Sequence, residues 1–144
     1  MFKIGEISIK AEKLIETTYE SMMKAINIVK DGIHLGDIGS TIQTHVEAKG
    51  FSVVQDFCGH GIGQTFHKEP NILHYGEKGT GDKISEGMIF TIEPMINIGN
   101  YETKTLNDGW TAVTKDKSLS AQFEHTIGVT KDGCEIFTQQ KKEN

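Results

Sequence analysis

Two histidines lie in or beside a short glycine-rich run, and their spacing could serve chemistry. His60 alternates with glycines at 59, 61 and 63, and His67 follows a few residues later. Alternate glycines let a backbone adopt unusual dihedral angles and allow a ligand to approach closely. An imidazole on such a segment can bind a metal or contact a substrate. A short Gly/His run is a weak pattern, however, so a flexible surface loop with incidental histidines is the alternative.

Two glutamates lie inside stretches that otherwise predict strands. Glu93 interrupts the apolar stretch 88–96, and Glu124 lies within 122–129. A carboxylate in the core of a strand is costly unless it is paired or bound to a metal. Pro94 removes a ladder hydrogen bond, so the strand should bulge there or lie at an edge, and bulges often redirect side chains at active sites.

The histidine and the two glutamates can be interpreted together. A single glutamate of this kind would be expected on the solvent side of a half-buried strand. Two of them, in separate strands and together with His60, form a suitable ligand set for a divalent first-row metal such as Mn, Fe, Co or Zn. The pattern therefore raises the hypothesis that His60, Glu93 and Glu124 converge on one ion.

The elements that would position these residues begin with two helices. Ser8 can cap a first helix, whose apolar residues recur at helical spacing until Asp31-Gly32. A second helix is predicted from about Asp37 to Lys49, and Gly50 ends it. Residues 1–7 are expected to form a short strand or a frayed lead-in.

Beyond Gly50 the pattern becomes extended, with the glycine run as a loop and residues 98–107 as a connecting excursion. The strands are predicted over 51–54, 88–96, 110–114, 122–129 and 134–137, with a hairpin turn at 130–133. Helices first and strands afterwards indicate an α+β fold, with two helices on one face of a curved, mainly antiparallel sheet.

Composition limits the classes of function. The 144 residues are the usual size of one domain, and the net charge of −5 argues against a nucleic-acid partner. No apolar run is long enough to span a membrane, so no membrane partner is expected. The two cysteines lack the spacing of a disulfide framework, which favours a cytoplasmic location.

Four motifs together resemble one enzyme family, the type I methionine aminopeptidases. They occupy 58–63 (CGHGIG), 66–70 (FHKEP), 90–95 (FTIEPM) and 118–126 (SLSAQFEHT). Each motif alone would be modest, but their order and spacing also fit, and the resemblance covers essentially the whole chain.

The resemblance implies a fold, a reaction and a site. The fold is half of a pita-bread fold, and the reaction is metal-dependent removal of the N-terminal methionine from nascent proteins. In the family two divalent ions (Co, Mn, Fe or Zn), bridged by water, lie between two related halves. His60, Glu93 and Glu124 match metal ligands, with Glu124 as the bridging one.

The resemblance also implies the residues that act on the substrate. His67 matches the histidine that contacts the substrate near the scissile peptide, and Glu93 could shuttle a proton, so both are catalytic candidates. Phe66 and Trp110 match positions that line the methionine pocket, and with His67 they form the expected substrate-binding set.

The chain departs from the family pattern in its ligand count. The family takes two aspartate ligands and another histidine from its first half, and none of these matches here. We therefore expect residues 1–138 to be the C-terminal half of the catalytic domain, followed by a loose polar tail at 139–144. Such a chain should bind at most one ion, and should be inactive alone or active only with a separate N-terminal half; a homodimer could replace that half.

A second interpretation stays open at this point. The chain could be a non-catalytic module of the same fold that binds a peptide or protein. His60, His67, Glu93 and Glu124 favour the enzyme, because a pure binding module has no physical need for buried ligands.

Overall fold

The computed structural model describes residues 1–140, and in that range it contains two helices. They are α1 (Ile9–Ile28) and α2 (Leu35–Glu47). The predicted N-cap is confirmed, since the Ser8 hydroxyl accepts a hydrogen bond from the Ala11 amide at 3.2 Å. Neither helix of this part of the chain is long and apolar enough to cross a bilayer.

The helix boundaries differ slightly from the prediction. The first helix ends three residues early, because Val29 adopts an extended backbone conformation. The second begins at Leu35 rather than near Asp37. There the Asp37 carboxylate accepts a hydrogen bond from the His34 amide at 2.9 Å, which satisfies one amide at the helix N-terminus.

Ten short strands follow the helices within the described residues. Their bounds are β1 (Ser52–Val53), β2 (Gly59–Gly61), β3 (Lys68–Ile72), β4 (Ile89–Ile92), β5 (Met95–Asn97), β6 (Thr103–Thr105), β7 (Ala112–Thr114), β8 (Ser120–Gln122), β9 (His125–Val129) and β10 (Cys134–Ile136). They form a five-stranded sheet in the order β10-β9-β4-β2-β3, a three-stranded sheet in the order β1-β5-β8, and the β6-β7 hairpin. All the described pairings between these strands are antiparallel.

The helices cover the sheets and enclose one core. The first helix contacts β4, β5 and β8, and the second contacts β1 and β3. Ile38, Ile42 and Val46, spaced four residues apart along α2, are fully buried in this core. The structure confirms the predicted α+β class, with two helices packed on mainly antiparallel strands.

The prediction of one long strand over 88–96 is wrong. The chain breaks at Glu93 and Pro94, so that β4 joins the five-stranded sheet and β5 the three-stranded sheet. Proline cannot donate a ladder hydrogen bond, which gives the break its physical reason.

The predicted strand over 122–129 divides in the same way. Phe123 and Glu124 separate β8, in the three-stranded sheet, from β9, in the five-stranded sheet. Both glutamates singled out from the sequence therefore lie where the chain passes from one sheet to the other.

Two further expectations need correction. The glycine run contains β2 rather than a loop, and the excursion at 98–107 contains β6, which pairs with β7. Of the two alternatives predicted for residues 1–7, the structure shows no strand, which leaves the lead-in. The predicted tail at 139–144 falls mostly on 141–144, which lie outside the described residues.

Candidate metal centre

The strand that carries His60, β2, packs unusually closely between β3 and β4. A Cβ atom at Gly59 would collide with the Thr91 carbonyl oxygen, and one at Gly61 with the Glu69 carbonyl oxygen. The alternating glycines therefore serve close strand packing. Because side chains alternate along a strand, His60 projects to one side between them.

His60 and Glu93 meet at the break between the two sheets. The His60 Nε2 atom lies 3.7 Å from Glu93 Oε1, and the two side chains are only 12% and 17% exposed. A histidine from the glycine run thus lies beside the first of the glutamates that interrupt the strands.

A threonine hydroxyl links the two residues. The Thr91 Oγ1 atom accepts a hydrogen bond from the His60 amide at 3.0 Å and donates one to Glu93 Oε1 at 2.7 Å. Thr91 is fully buried. The hydroxyl therefore fixes the Glu93 carboxylate relative to the backbone that carries His60.

The remaining polar atoms of Glu93 are also held. Its backbone amide donates to His74 Nε2 at 3.1 Å. The Gln122 side-chain amide donates to the Glu93 carbonyl oxygen at 3.3 Å and approaches Oε2 at 3.4 Å. Glu93 is thus tied to β8 and to the segment after β3 as well as to β4.

Burial and charge set the protonation of this group. Burial raises the pKa of Glu93 above its ordinary value, the Thr91 hydrogen bond opposes that rise, and the nearby charge of Glu124 adds to it. Burial lowers the pKa of His74 to about 4. His74 is therefore neutral at pH 7, as its acceptor role requires.

Two further predicted residues adjoin His60. The ring centroid of His67 lies 4.2 Å from that of His60, and the Phe66 centroid lies 5.3 Å from it, both edge to face. His67 and Phe66 are exposed. The three rings form one cluster at the mouth of the site.

Glu124 and Trp110 do not belong to the cluster of His60, His67 and Phe66. Glu124 is exposed at the break between β8 and β9. Trp110, next to β7, has a side chain that is 90% exposed. Within residues 1–140, no group of three or more His, Cys, Asp or Glu side chains converges tightly enough to hold an ion. The three-ligand set therefore stays a prediction, whereas the proximity of His60 and Glu93 is observed.

The observed pair fits a divalent cation. Two ligand atoms that each lie about 2.0–2.2 Å from one ion can be at most about 4.4 Å apart. The 3.7 Å separation falls within that limit. An imidazole nitrogen and a half-buried carboxylate are ligands that first-row divalent metals accept.

Sequence reasoning did not single out Thr91, His74 or Gln122. Thr91 lies two residues before Glu93, and in an extended segment this spacing puts side chains on one face. That signal was available for Thr91 but not for Gln122, which contacts Glu93 from another strand. His74 had none, because its partner is a backbone amide 19 residues further along the chain.

Comparisons with known proteins agree with these features. Residues 1–131 match metallopeptidase family M24. The chain is 58% identical over 143 residues to a methionine aminopeptidase of Rickettsia prowazekii, covering 99% of this chain and 55% of that protein. It is 55% identical over 141 residues to the methionine aminopeptidase of Escherichia coli K12, covering 98% of this chain and 53% of that one.

Solved structures give the same result for the fold. The crystal structure of the Rickettsia prowazekii methionine aminopeptidase superposes with a TM-score of 0.93, covering 96% of this chain and 56% of that one. The methionine aminopeptidase of Thermotoga maritima, 44% identical, also gives 0.93, with 95% and 55% covered. The predicted pita-bread architecture is confirmed by this likeness.

The resemblance to methionine aminopeptidases predicted from the motifs is thus confirmed, with one quantitative qualification. The chain spans about half the length of the curated relatives that it matches. The match to the family covers nearly all of the chain itself, from its first residue to the turn after β9. The chain therefore belongs to metallopeptidase family M24.

Proposed function

We propose that this chain supplies part of the active site of a methionyl aminopeptidase, which removes the N-terminal methionine from nascent proteins. The observation that carries the proposal is the half-buried pair of His60 and Glu93, held together through Thr91. Relatives that are 55–58% identical over almost the whole chain are methionine aminopeptidases, which supports the choice of reaction.

Membership of a metallopeptidase family implies a divalent metal. In our proposal His60 and Glu93 hold one ion, which is Co, Mn, Fe or Zn, and Glu124 completes the set from the neighbouring break. The ion would polarise the scissile carbonyl and make water acidic enough to react at neutral pH. The raised pKa of Glu93 supports a second role, in which its carboxylate accepts and returns a proton.

The exposed rings would receive the peptide. His67 lies against His60 and remains accessible, so it can hydrogen-bond the substrate beside the scissile bond. Phe66 packs on both histidines and offers an apolar wall for the methionine side chain. Trp110 lies between β6 and β7 and would close that pocket. For this, the β6-β7 hairpin must approach Phe66, or the peptide must reach Trp110.

Partners and location are further parts of the proposal. We assign the chain as a C-terminal half that works with a separate N-terminal half, or with a second copy of itself. Two cysteines that form no disulfide are consistent with a cytoplasmic setting.

A peptidase assay tests the proposal. The purified 144-residue chain, with Mn²⁺ or Co²⁺, is given a Met-Ala-Ser peptide, and methionine release is measured with and without a separately expressed N-terminal half. We expect release near background from the chain alone and restored turnover with the added half.

Two variants serve as controls in the reconstituted enzyme. Glu124→Ala should abolish turnover, whereas His67→Ala should lower turnover and leave metal binding nearly intact. Peptide binding without any turnover, in the presence of both halves and metal, would favour the non-catalytic binding module instead.

A further inference from the structure

His74 is a buried histidine that the proposed site does not yet use. It lies two residues after the end of β3 and is only 2% exposed. Its Nε2 atom is 3.1 Å from the backbone nitrogen of Glu93. Since that nitrogen carries a proton, Nε2 must be the acceptor, and the ring proton must lie on Nδ1.

The Glu93 amide lies where ordinary strand pairing stops. β4 ends at Ile92, β5 begins at Met95, and the intervening Pro94 has no N–H group. Within residues 1–140, this amide donates its hydrogen bond to His74 Nε2. A buried amide without an acceptor is costly, so the ring stabilises a backbone conformation that the sheet itself does not support.

The other polar groups of Glu93 are fixed by different elements. Thr91 holds Oε1, and the Gln122 side-chain amide reaches the backbone carbonyl oxygen. His74 thus provides the third anchor, on the amide side of the residue. With the backbone held at both ends, the direction of the side chain toward His60 is set before any ligand arrives.

We propose that His74 is a positioning residue, whose ring holds the Glu93 backbone at the break between β4 and β5 and so aims the Glu93 carboxylate at His60. This inference rests on the proposed function, in which His60 and Glu93 bind the metal. The alternative is that His74 only fills space in the core.

Two substitutions separate these roles. His74→Gln retains an acceptor oxygen that can reach the Glu93 amide, whereas His74→Leu fills a similar volume without any acceptor. Ile72→Val, at a fully buried position in the neighbouring β3, controls for a general loss of core packing.

Amide hydrogen exchange in the metal-free chain gives the first readout. The Glu93 amide is compared with the Val129 amide, which donates to the Met88 carbonyl at 2.8 Å and reports on the five-stranded sheet. In His74→Leu, Glu93 should exchange about 10- to 100-fold faster relative to Val129. In His74→Gln and Ile72→Val the ratio should stay within a few-fold of the wild type.

The affinity of the chain for Mn²⁺, added as manganese chloride, gives the second readout. His74→Leu should weaken affinity about 10- to 100-fold, and His74→Gln should restore most of it. If the wild type binds no Mn²⁺, the proposed metal centre fails, but the exchange ratio still decides the role of His74. Equal affinity and equal exchange in wild type, His74→Gln and His74→Leu would overturn the positioning role.

A measurement on the wild type covers the case in which His74→Leu does not fold. In ¹⁵N-labelled protein we expect an unprotonated His74 Nε2 and a scalar coupling between it and the Glu93 amide nitrogen, across the hydrogen bond. A protonated Nε2, or His74→Gln with exchange as fast as in an unstructured segment, would contradict the inference.

Discussion

The proposed site has two parts that differ in burial and in hydrogen bonding. The inner group, which we define as His60, Thr91 and Glu93, is buried or half-buried and joined by hydrogen bonds. The outer group, which we define as Phe66, Trp110 and Glu124, is exposed; Phe66 is 66% and Trp110 90% exposed. The positions of the inner group follow from the packing of the sheets, whereas the side chains of the outer group are open to solvent.

This difference separates two tasks within one site. The geometry of the inner group is supported from behind by buried residues, so we expect the isolated chain to bind a cation there. Phe66 and Trp110 of the outer group can act only when a peptide reaches them, whereas Glu124 is the proposed third metal ligand. Substitutions in the inner group should therefore affect stability and metal binding, and those at Phe66 and Trp110 mainly peptide binding.

The free energy of unfolding should change most in acid, because acid protonates His74, the buried residue that supports Glu93. The pKa of His74 is about 4 in the folded chain and 6.5 when exposed, so the unfolded state binds more protons between these values. The free energy of unfolding should therefore fall by about 3 kcal/mol as pH drops from 6.5 to 4. Urea unfolding at several pH values measures this loss, and the difference between wild type and His74→Leu isolates it.

A second titratable group must be considered in that experiment. The raised pKa of Glu93 acts in the opposite direction, since its contribution to stability falls as pH rises through the folded-state pKa. The comparison is therefore best repeated in a Glu93→Gln background. Ile72→Val, a buried substitution that changes no titratable group, should keep the wild-type pH dependence. A His74→Leu chain with that same dependence would refute the assignment.

The next effect tests the hydrogen bonds within the inner group. Thr91→Val keeps the shape of the side chain but leaves the His60 amide and the Glu93 carboxylate without their shared partner. We expect a loss of about 1–3 kcal/mol in the free energy of unfolding, measured by chemical denaturation.

Thr114→Val is the matched control for this change. The Thr114 hydroxyl donates to the Ser118 carbonyl at 2.7 Å in β7, away from His60 and Glu93. Its loss should be smaller, about 1 kcal/mol or less. Equal losses in the two variants, with unchanged Mn²⁺ affinity in Thr91→Val, would mean that the inner group is not specially organised.

The smallest effect on stability is expected in the outer group. Trp110→Ala should change the free energy of unfolding by no more than about 0.5 kcal/mol, because the side chain is almost fully exposed. The same variant, in the reconstituted enzyme, should raise the Michaelis constant for a Met-Ala-Ser peptide. A strongly destabilised Trp110→Ala chain would show that this residue packs in the core and does not belong to the exposed outer group.

Much of the fold could be predicted from the sequence because it depends on local patterns. Helical spacing and the Ser8 cap located both helices to within three residues at each end. Burial cost singled out both Glu93 and Glu124 as residues that needed a partner. The Glu93 carboxylate does lie beside His60, whereas Glu124 is exposed.

The features that were missed depend on distant partners. Alternation of side chains is the same on both sides of Pro94, so it could not show that β4 and β5 join different sheets. The glycines at 59 and 61 could be assigned to close packing only once Thr91 and Glu69 were found beside them. His74 acts through a backbone amide, which leaves no trace in the sequence.

The most direct test of the metal centre is a titration of the metal-free chain with Co²⁺, followed by calorimetry and by the visible absorption of the bound ion. We expect one ion per chain in the wild type and in Trp110→Ala, and at least a 100-fold loss of affinity in His60→Ala and in Glu93→Gln. Binding that survives both inner-group substitutions would contradict the assignment of His60 and Glu93 as metal ligands, because the ion would then be held elsewhere.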